Sequence, residues 1–380
     1  MVSACGVVRA GTGAGAAVTP GASGSPKLVW RRQIGGIVSL AVSGDTLSLG
    51  AGGDGVGAIA LDAATGKTRW SIGNSFKPPS VAFGAGGGMV LCSGTYANGD
   101  DDITALSAVT GRPLWSTPAY VGNPNAGDGP WLTFAGDTVY ALIGLPGSHN
   151  VSRDDVVLAL DGRTGARKWM SRLPPTAKAM AVADGIVYAG SAPGGQSPFG
   201  SASAYGEVVA LDGATGARRW SARVGTPVAA LVVTKGVVVG CWDILNQSPE
   251  PLMFGLNATG GRILWQRDLG TVLPHIAAAD GVVFAFTAAT GALLSVDALT
   301  GKLLWKRTVG GQFPSALVVA GDAVYAAYLN SVQAFSARTG KELWNYPAKG
   351  PVTKLAASSG ILYAAAGAPD SGWALYALRA

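Results

Sequence analysis

Asn98, Asp100, Asp101 and Asp102 put four oxygen-bearing side chains within five residues. Oxygens at that density could ligate Ca²⁺. The ligand order and turn glycine of a calcium-binding helix–loop–helix are missing, so a solvated acidic loop is the plainer reading. Lys178, His275 and Lys354 fall near the start of apolar β runs. Around one opening they could attract an anion; otherwise they are ordinary polar lining. Tyr96, Trp131, Phe199, Tyr205 and Trp242 could form an aromatic contact surface or simply fill the core. Other chemistry finds little support. The chain has two histidines, His149 and His275, and three glutamates. The spacings HExxH, CxxC, GxSxG and the P-loop do not occur. GTGAG at 11–15 lies in a Gly/Ala tract and follows no strand, so it is not a nucleotide fingerprint.

The elements that must carry these residues are repeats. Seven tryptophans end one ten-residue phrase: LDAATGKTRW (Trp70), LSAVTGRPLW (Trp115), LDGRTGARKW (Trp169), LDGATGARRW (Trp220), LNATGGRILW (Trp265), VDALTGKLLW (Trp305) and FSARTGKELW (Trp344). Trp30, in KLVWRR, is an eighth beat, and the intervals from it are 40, 45, 54, 51, 45, 40 and 39 residues. A period of this length is one supersecondary unit copied many times. Within a unit, AMAVAD, GIVYAGS and GEVVALD read as short strands, and a Thr-Gly turn leads to a fourth strand carrying Trp220. The glycine supplies positive φ. The Asp, Ser or Asn eight residues before each Trp can bond the turn backbone. The Trp is a large flat plate suited to packing between neighbouring sheets. Four-stranded units in series predict an all-β propeller, which leaves only short edges.

The ends set the blade count. Trp30 sits on a strand with no preceding blade, while GILYAAAG and GWALYALRA at the other end lack a following Trp strand. The two deficits are complementary. Lys27–Gln33 is expected to complete the blade made by Val352–Leu378, which gives eight blades of four antiparallel strands. Residues 1–26 then form a tether and 27–380 one propeller.

The phrase A-x-D-x-x-T-G-x-x-x-W resembles the docking motif of the PQQ-like (quinoprotein/BamB-like) eight-bladed propeller family. Ala60-Asp62-Thr65-Gly66-Trp70 and Ala210-Asp212-Thr215-Gly216-Trp220 match it position by position. Gly260 stands where Thr is expected, and Ser107 and Ser336 replace Asp. The family includes quinone-dependent alcohol and glucose dehydrogenases, an outer-membrane assembly lipoprotein and sensor domains of bacterial serine/threonine kinases. The motif indicates the fold and does not choose among these functions. The dehydrogenases add adjacent cysteines, a Ca²⁺ cage with Glu and Asn, and a catalytic Asp. None of those maps onto this chain, so no catalytic residue, cofactor or metal is expected.

Composition narrows the compartment. Charged residues make up 13%, and the net charge of +6 carries no basic run. A nucleic-acid partner is therefore not expected. Cys92 and Cys241 fall on interior second strands of units three blades apart, too distant for a disulfide, and read as buried thiols. Val2-Ser3-Ala4-Cys5-Gly6 resembles a bacterial lipobox with Cys5 as the lipidated residue, followed by an uncharged tether. The basic and apolar parts of an export signal do not stand before it. A cleaved export segment and a chance match are the alternatives. No apolar run is long enough for a transmembrane helix.

Loop lengths point to one face. The segments 95–102, 145–155, 192–206 and 242–252 are long, and 120–131 adds to them, whereas the corresponding loops near Thr290 and Asn330 are short. Long loops of this kind are commonly functional. Tyr96, Trp131, Arg153, Tyr205, Trp242 and Asp243 are the expected contact residues, since aromatics and arginine most often carry interface energy. The eight repeated tryptophans are expected to be structural. The function expected is a non-catalytic, exported scaffold or recognition module, monomeric, binding a protein or extracellular ligand and meeting the membrane through a lipid anchor. A kinase sensor domain and a quinone-dependent dehydrogenase are the alternatives.

Overall fold

The computed structural model describes residues 25–37, 39–50, 56–73, 76–77, 83–96, 101–118, 131–144, 155–174, 177–191, 205–241, 252–268, 275–287, 291–309, 314–368 and 372–379. Every regular element among them is a β-strand. The strands form eight sheets, each joined antiparallel between sequential strands, and the fold is an eight-bladed β-propeller. Contacts group the chain into two compact units.

The first unit holds residues 1–137, 162–166 and 313–380. Its first blade is Ser39–Ser43, Thr46–Gly50, Val56–Asp62 and Thr68–Gly73. The second has an interrupted inner strand. Phe76–Lys77 and Phe83–Gly86 both pair with Met89–Tyr96, which continues to Asp101–Ser107 and Pro113–Pro118. The seventh is Pro314–Ala320, Ala323–Tyr328, Ser331–Ser336 and Glu342–Pro347. The eighth is Val352–Ser358, Ile361–Ala368 and Gly372–Arg379, completed by Lys27–Ile34 from the other end of the chain. Lys27 lies opposite Arg379 and Ile34 opposite Trp373. The complementary end deficits thus close one blade, as the sequence predicts.

The second unit holds residues 138–161 and 167–312. It contains Thr138–Gly144, Asp155–Asp161 and Arg167–Leu173 of the third blade, whose inner strand is Trp131–Ala135. The fourth blade is Ala177–Ala183, Ile186–Ser191, Gly206–Asp212 and Arg218–Val224. The fifth is Ala230–Thr234, Val237–Cys241, Leu252–Asn257 and Ile263–Asp268. The sixth is Ile276–Ala279, Val282–Thr287, Ala292–Asp297 and Leu303–Thr308.

Burial explains why these stretches are strands. Second strands such as IVYAGS and VVVGC are buried along their whole length, so both faces are apolar or small. Fourth strands bury little beyond the Trp and expose most other positions, as in RRWSARV and LLWKRT. The core lies between adjacent sheets. Tyr188, Val208 and Trp220 of the fourth blade pack with Val238, Phe254 and Leu256 of the fifth. Val239, Met253 and Trp265 of the fifth pack with Val283 and Ala285 of the sixth.

Candidate functional site

Each Asp-x-x-Thr-Gly segment is a self-contained turn. The Asp62 carboxylate accepts from the Thr65 amide at 2.9 Å and its hydroxyl at 2.7 Å. Asp212 does the same with Thr215, and Asp297 with Thr300. Ser107 and Ser336 keep the amide bond, accepting from Thr110 and Thr339. Where Gly260 replaces Thr, the Asn257 side-chain oxygen still accepts from the Gly260 amide at 2.9 Å. The following glycine is left-handed, with φ near 70° at Gly66, Gly216 and Gly261. It also has no room for a side chain. A Cβ on Gly261 would lie 2.5 Å from the Trp220 indole, and one on Gly216 2.6 Å from that of Trp169.

That close approach is how one blade seats on the next. Within the first unit, Trp30 Nε1 donates to the Ala63 carbonyl, Trp70 to Ala108 and Trp115 to Gly162. Within the second, Trp169 donates to Gly213, Trp220 to Ala258 and Trp265 to Ala298. The bonds span 2.8–3.1 Å, and all but that of Trp30 are buried. Burying an indole without a partner for its N–H would cost most of what the packing provides.

A second aromatic in this arrangement escapes the Trp phrase. Tyr363 donates its hydroxyl to the same Ala63 carbonyl as Trp30, Tyr140 to the same Gly213 carbonyl as Trp169, and Tyr188 to the same Ala258 carbonyl as Trp220. The paired rings are tilted, with centroids 5.8–6.0 Å apart. Burial pushes the Tyr188 and Tyr363 hydroxyls up to about 12. The signal lies in the second strands, which read TVYAL, IVYAG, VVFAF, AVYAA and ILYAA. The strand between holds a small residue in register: Ala159 between Tyr140 and Trp169, Ala210 between Tyr188 and Trp220.

The polar groups beside the turns are also committed. Arg69 bonds both Asp45 and Asp62 at 2.8 Å, and Arg219 bonds Asp212 at 2.6 Å. The guanidinium and the Thr hydrogen bonds hold Asp62 and Asp212 at about 2. At neutral pH carboxylates held this low carry no proton to donate and are weak bases.

Of the expected contact residues, Tyr205 is described with its side chain. It is half-buried, and the Arg223 guanidinium lies 3.6 Å from its ring centre. Tyr96 and Trp131 are placed by backbone, at the end of Met89–Tyr96 and the start of Trp131–Ala135. Arg153, Trp242, Asp243, Phe199 and Cys5 lie outside the described residues. Asp102 accepts from the Ser116 hydroxyl at 2.9 Å on the neighbouring strand, and Asn98 and Asp100 lie outside the described residues. Lys178 and Lys354 sit in inner strands and His275 immediately before one, each half-buried, as their sequence positions imply. Cys92 and Cys241 are buried and in no disulfide, and burial pushes the Cys92 thiol up to about 12.

Among the described residues no three His, Cys, Asp or Glu side chains come together. Cys92 and Cys241 are on strands of different sheets, so they cannot act as a vicinal pair.

In the second unit the fourth strands carry more cations than the strands inside them. These carry three Lys/Arg in Arg167–Leu173, three in Arg218–Val224, one in Ile263–Asp268 and two in Leu303–Thr308, with Asp268 as the acid on the same strands; Lys168 and Arg219 are paired with Asp161 and Asp212 of the third strands.

No helix among the described residues is long and apolar enough to cross a membrane. No curated protein matches the chain. Among solved structures, BamB from Moraxella catarrhalis is similar with a TM-score of 0.66 at 16% identity, covering 93% of this chain and 100% of that one. The computationally designed Ika8 protein gives 0.69 at 17%, covering 93% and 98%. Quinohemoprotein alcohol dehydrogenase from Comamonas testosteroni gives 0.63 at 15%, covering 93% and 76%. At these identities the likeness concerns the fold, which BamB, a designed protein and an alcohol dehydrogenase share. The family model described as outer membrane protein assembly factor BamB matches residues 54–239 and 254–380, and the chain belongs to that family.

Proposed function

We propose that this protein is a non-catalytic propeller of the cell envelope that serves as a protein-interaction scaffold, tethered to a membrane through a lipid on Cys5. The observation that carries the reading is the family match across both halves of the propeller. The name of that family describes assembly of outer membrane proteins, a role that a protein-interaction scaffold would serve. The motif chemistry supports the reading. The carboxylates of Asp62, Asp212 and Asp297 are occupied by their own turns, and two of them by arginine as well, so they serve folding. The partner is expected on the face of the loops 192–206 and 242–252, where Tyr205 and Trp242 stand. Residues 1–26 act as the tether and 27–380 as one binding body.

The test compares wild type with Trp242→Ala and Tyr205→Ala in the native envelope after crosslinking. The same crosslinked partner band should be lost in the variants while thermal unfolding stays close to wild type. Retention of that band in both variants and in a protein with both loops shortened would refute the site. Dye reduction on addition of PQQ and Ca²⁺ to the purified protein would refute the non-catalytic reading.

A further inference from the structure

Four outer strands of the second unit, Arg167–Leu173, Arg218–Val224, Ile263–Asp268 and Leu303–Thr308, carry basic charge that the strands inside them lack. The first and second strands of the fourth, fifth and sixth blades contain one cation, Lys178, and their third strands carry only Glu207, Asp212 and Asp297 as charged residues. Charge is therefore segregated to the rim. Arg218, Arg262, Arg267, Lys302 and Lys306 are all exposed there.

The same rim exposes large apolar side chains. Met170 is 48% exposed, Ile263 42%, Leu299 63%, Leu303 49% and Leu304 48%. The last four belong to adjoining elements. Trp265, two residues after Ile263, seats its indole on Gly301 and bonds the Ala298 carbonyl, bracketing Leu299 and leading into Leu303. Val109 and Leu114, at the equivalent positions of the second blade, are exposed too, but the strand Pro113–Pro118 there carries no cation, so the pairing of exposed apolar with basic side chains is what marks the second unit. Basic residues alone would suit any polyanion. Cations alternating with aliphatic side chains suit an interface that offers negative headgroups above hydrocarbon. Single-stranded nucleic acid would call for aromatic stacking platforms, and the exposed large side chains of these strands are aliphatic.

We propose that this rim is a peripheral binding surface for an anionic lipid bilayer, acting in addition to any lipid at Cys5. Lys and Arg would meet phosphate headgroups while Ile263, Leu299, Leu303 and Leu304 enter the interface.

The experiment uses the full chain with Cys5→Ser, which removes the proposed lipid attachment. Its co-sedimentation is measured with vesicles of phosphatidylcholine alone and with about one third phosphatidylglycerol. Binding is expected to the anionic vesicles, weakening as salt rises from about 0.1 M to about 0.5 M. The triple variant Arg218→Glu, Arg267→Glu, Lys306→Glu should bind at least about tenfold more weakly. The double variant Leu303→Ser, Leu304→Ser should also bind more weakly, with unfolding temperatures close to wild type in both. Equal binding to both vesicle types, or wild-type binding by the charge-reversed protein, would overturn the proposal. So would unimpaired binding by the leucine variant together with equal affinity for polyphosphate, which would mark a general polyanion surface.

Discussion

The Trp30 indole donates to the carbonyl of Ala63 at 3.1 Å, and together with Arg32, which donates to the Gly66 carbonyl at 2.7 Å and the Thr68 hydroxyl at 2.6 Å, it ties the closing strand to the first blade. Tyr363 reaches the same oxygen at 3.0 Å from the middle of the last blade. The two ends of the chain are thus fixed to the same turn, and a Cβ on Gly66 of that turn would meet the Trp30 ring at 2.7 Å.

Deleting residues 1–33 is expected to lower stability by several kcal/mol, roughly the cost of an unpaired sheet edge plus a large aromatic. Denaturant unfolding of the truncated and full-length proteins checks this. Unchanged midpoints would mean that the strand Lys27–Ile34 is dispensable for closure.

Trp220→Ala should cost about 3–5 kcal/mol as a large-to-small core change. Gly261→Ala attacks the same contact from the other side, and a left-handed backbone with a Cβ at 2.5 Å from the indole should cost at least about 1–3 kcal/mol. Because both changes remove one contact, the double variant should fall short of the sum, which a double-mutant cycle on thermal or denaturant unfolding measures.

Acid should loosen the turns in a defined window. Asp62 and Asp212 sit at about 2 in the folded protein against an ordinary 3.8, so their ionised forms stabilise it. That contribution is present above about pH 4 and is lost as pH falls towards about 2. Asp62→Asn and Asp212→Asn should flatten this part of the curve of melting temperature against pH. The effect of each is small, since these groups are partly exposed. Identical acid slopes in wild type and the double variant would count against it.

Alkali acts on the buried phenols in the opposite sense. Tyr188, Tyr325 and Tyr363 are raised to about 12 from an ordinary 10. Their stabilisation is complete below about pH 10 and lost as pH rises through about 12. Phenolate absorbance from these residues should therefore appear together with loss of β circular dichroism. Phenolates that form well before unfolding would contradict their burial.

Cys92, 1% exposed with its thiol raised to about 12, should resist alkylation in the native state and react once denatured. Mass-spectrometric labelling before and after unfolding reads this directly.

The sequence by itself determined the repeat, the turns, the blade count and the closing strand. Each rests on local chemistry at constant spacing: a carboxylate or its substitute, a left-handed glycine and a tryptophan as the tenth residue of the phrase. The tyrosines at 140, 188 and 363 were legible only in part. Val-Tyr recurs, but that each hydroxyl shares a carbonyl with a tryptophan depends on three strands aligning in register. The interrupted inner strand of the second blade had no sequence signal, since pairing of Phe76 with Tyr96 is a long-range event. Of the expected contact face, the structure adds the stacking of Arg223 on Tyr205. Above all, the basic rim could not be seen along the chain. Its groups of cations are tens of residues apart, and only the repetition of an exposed fourth strand in successive blades of the second unit brings them to the rim.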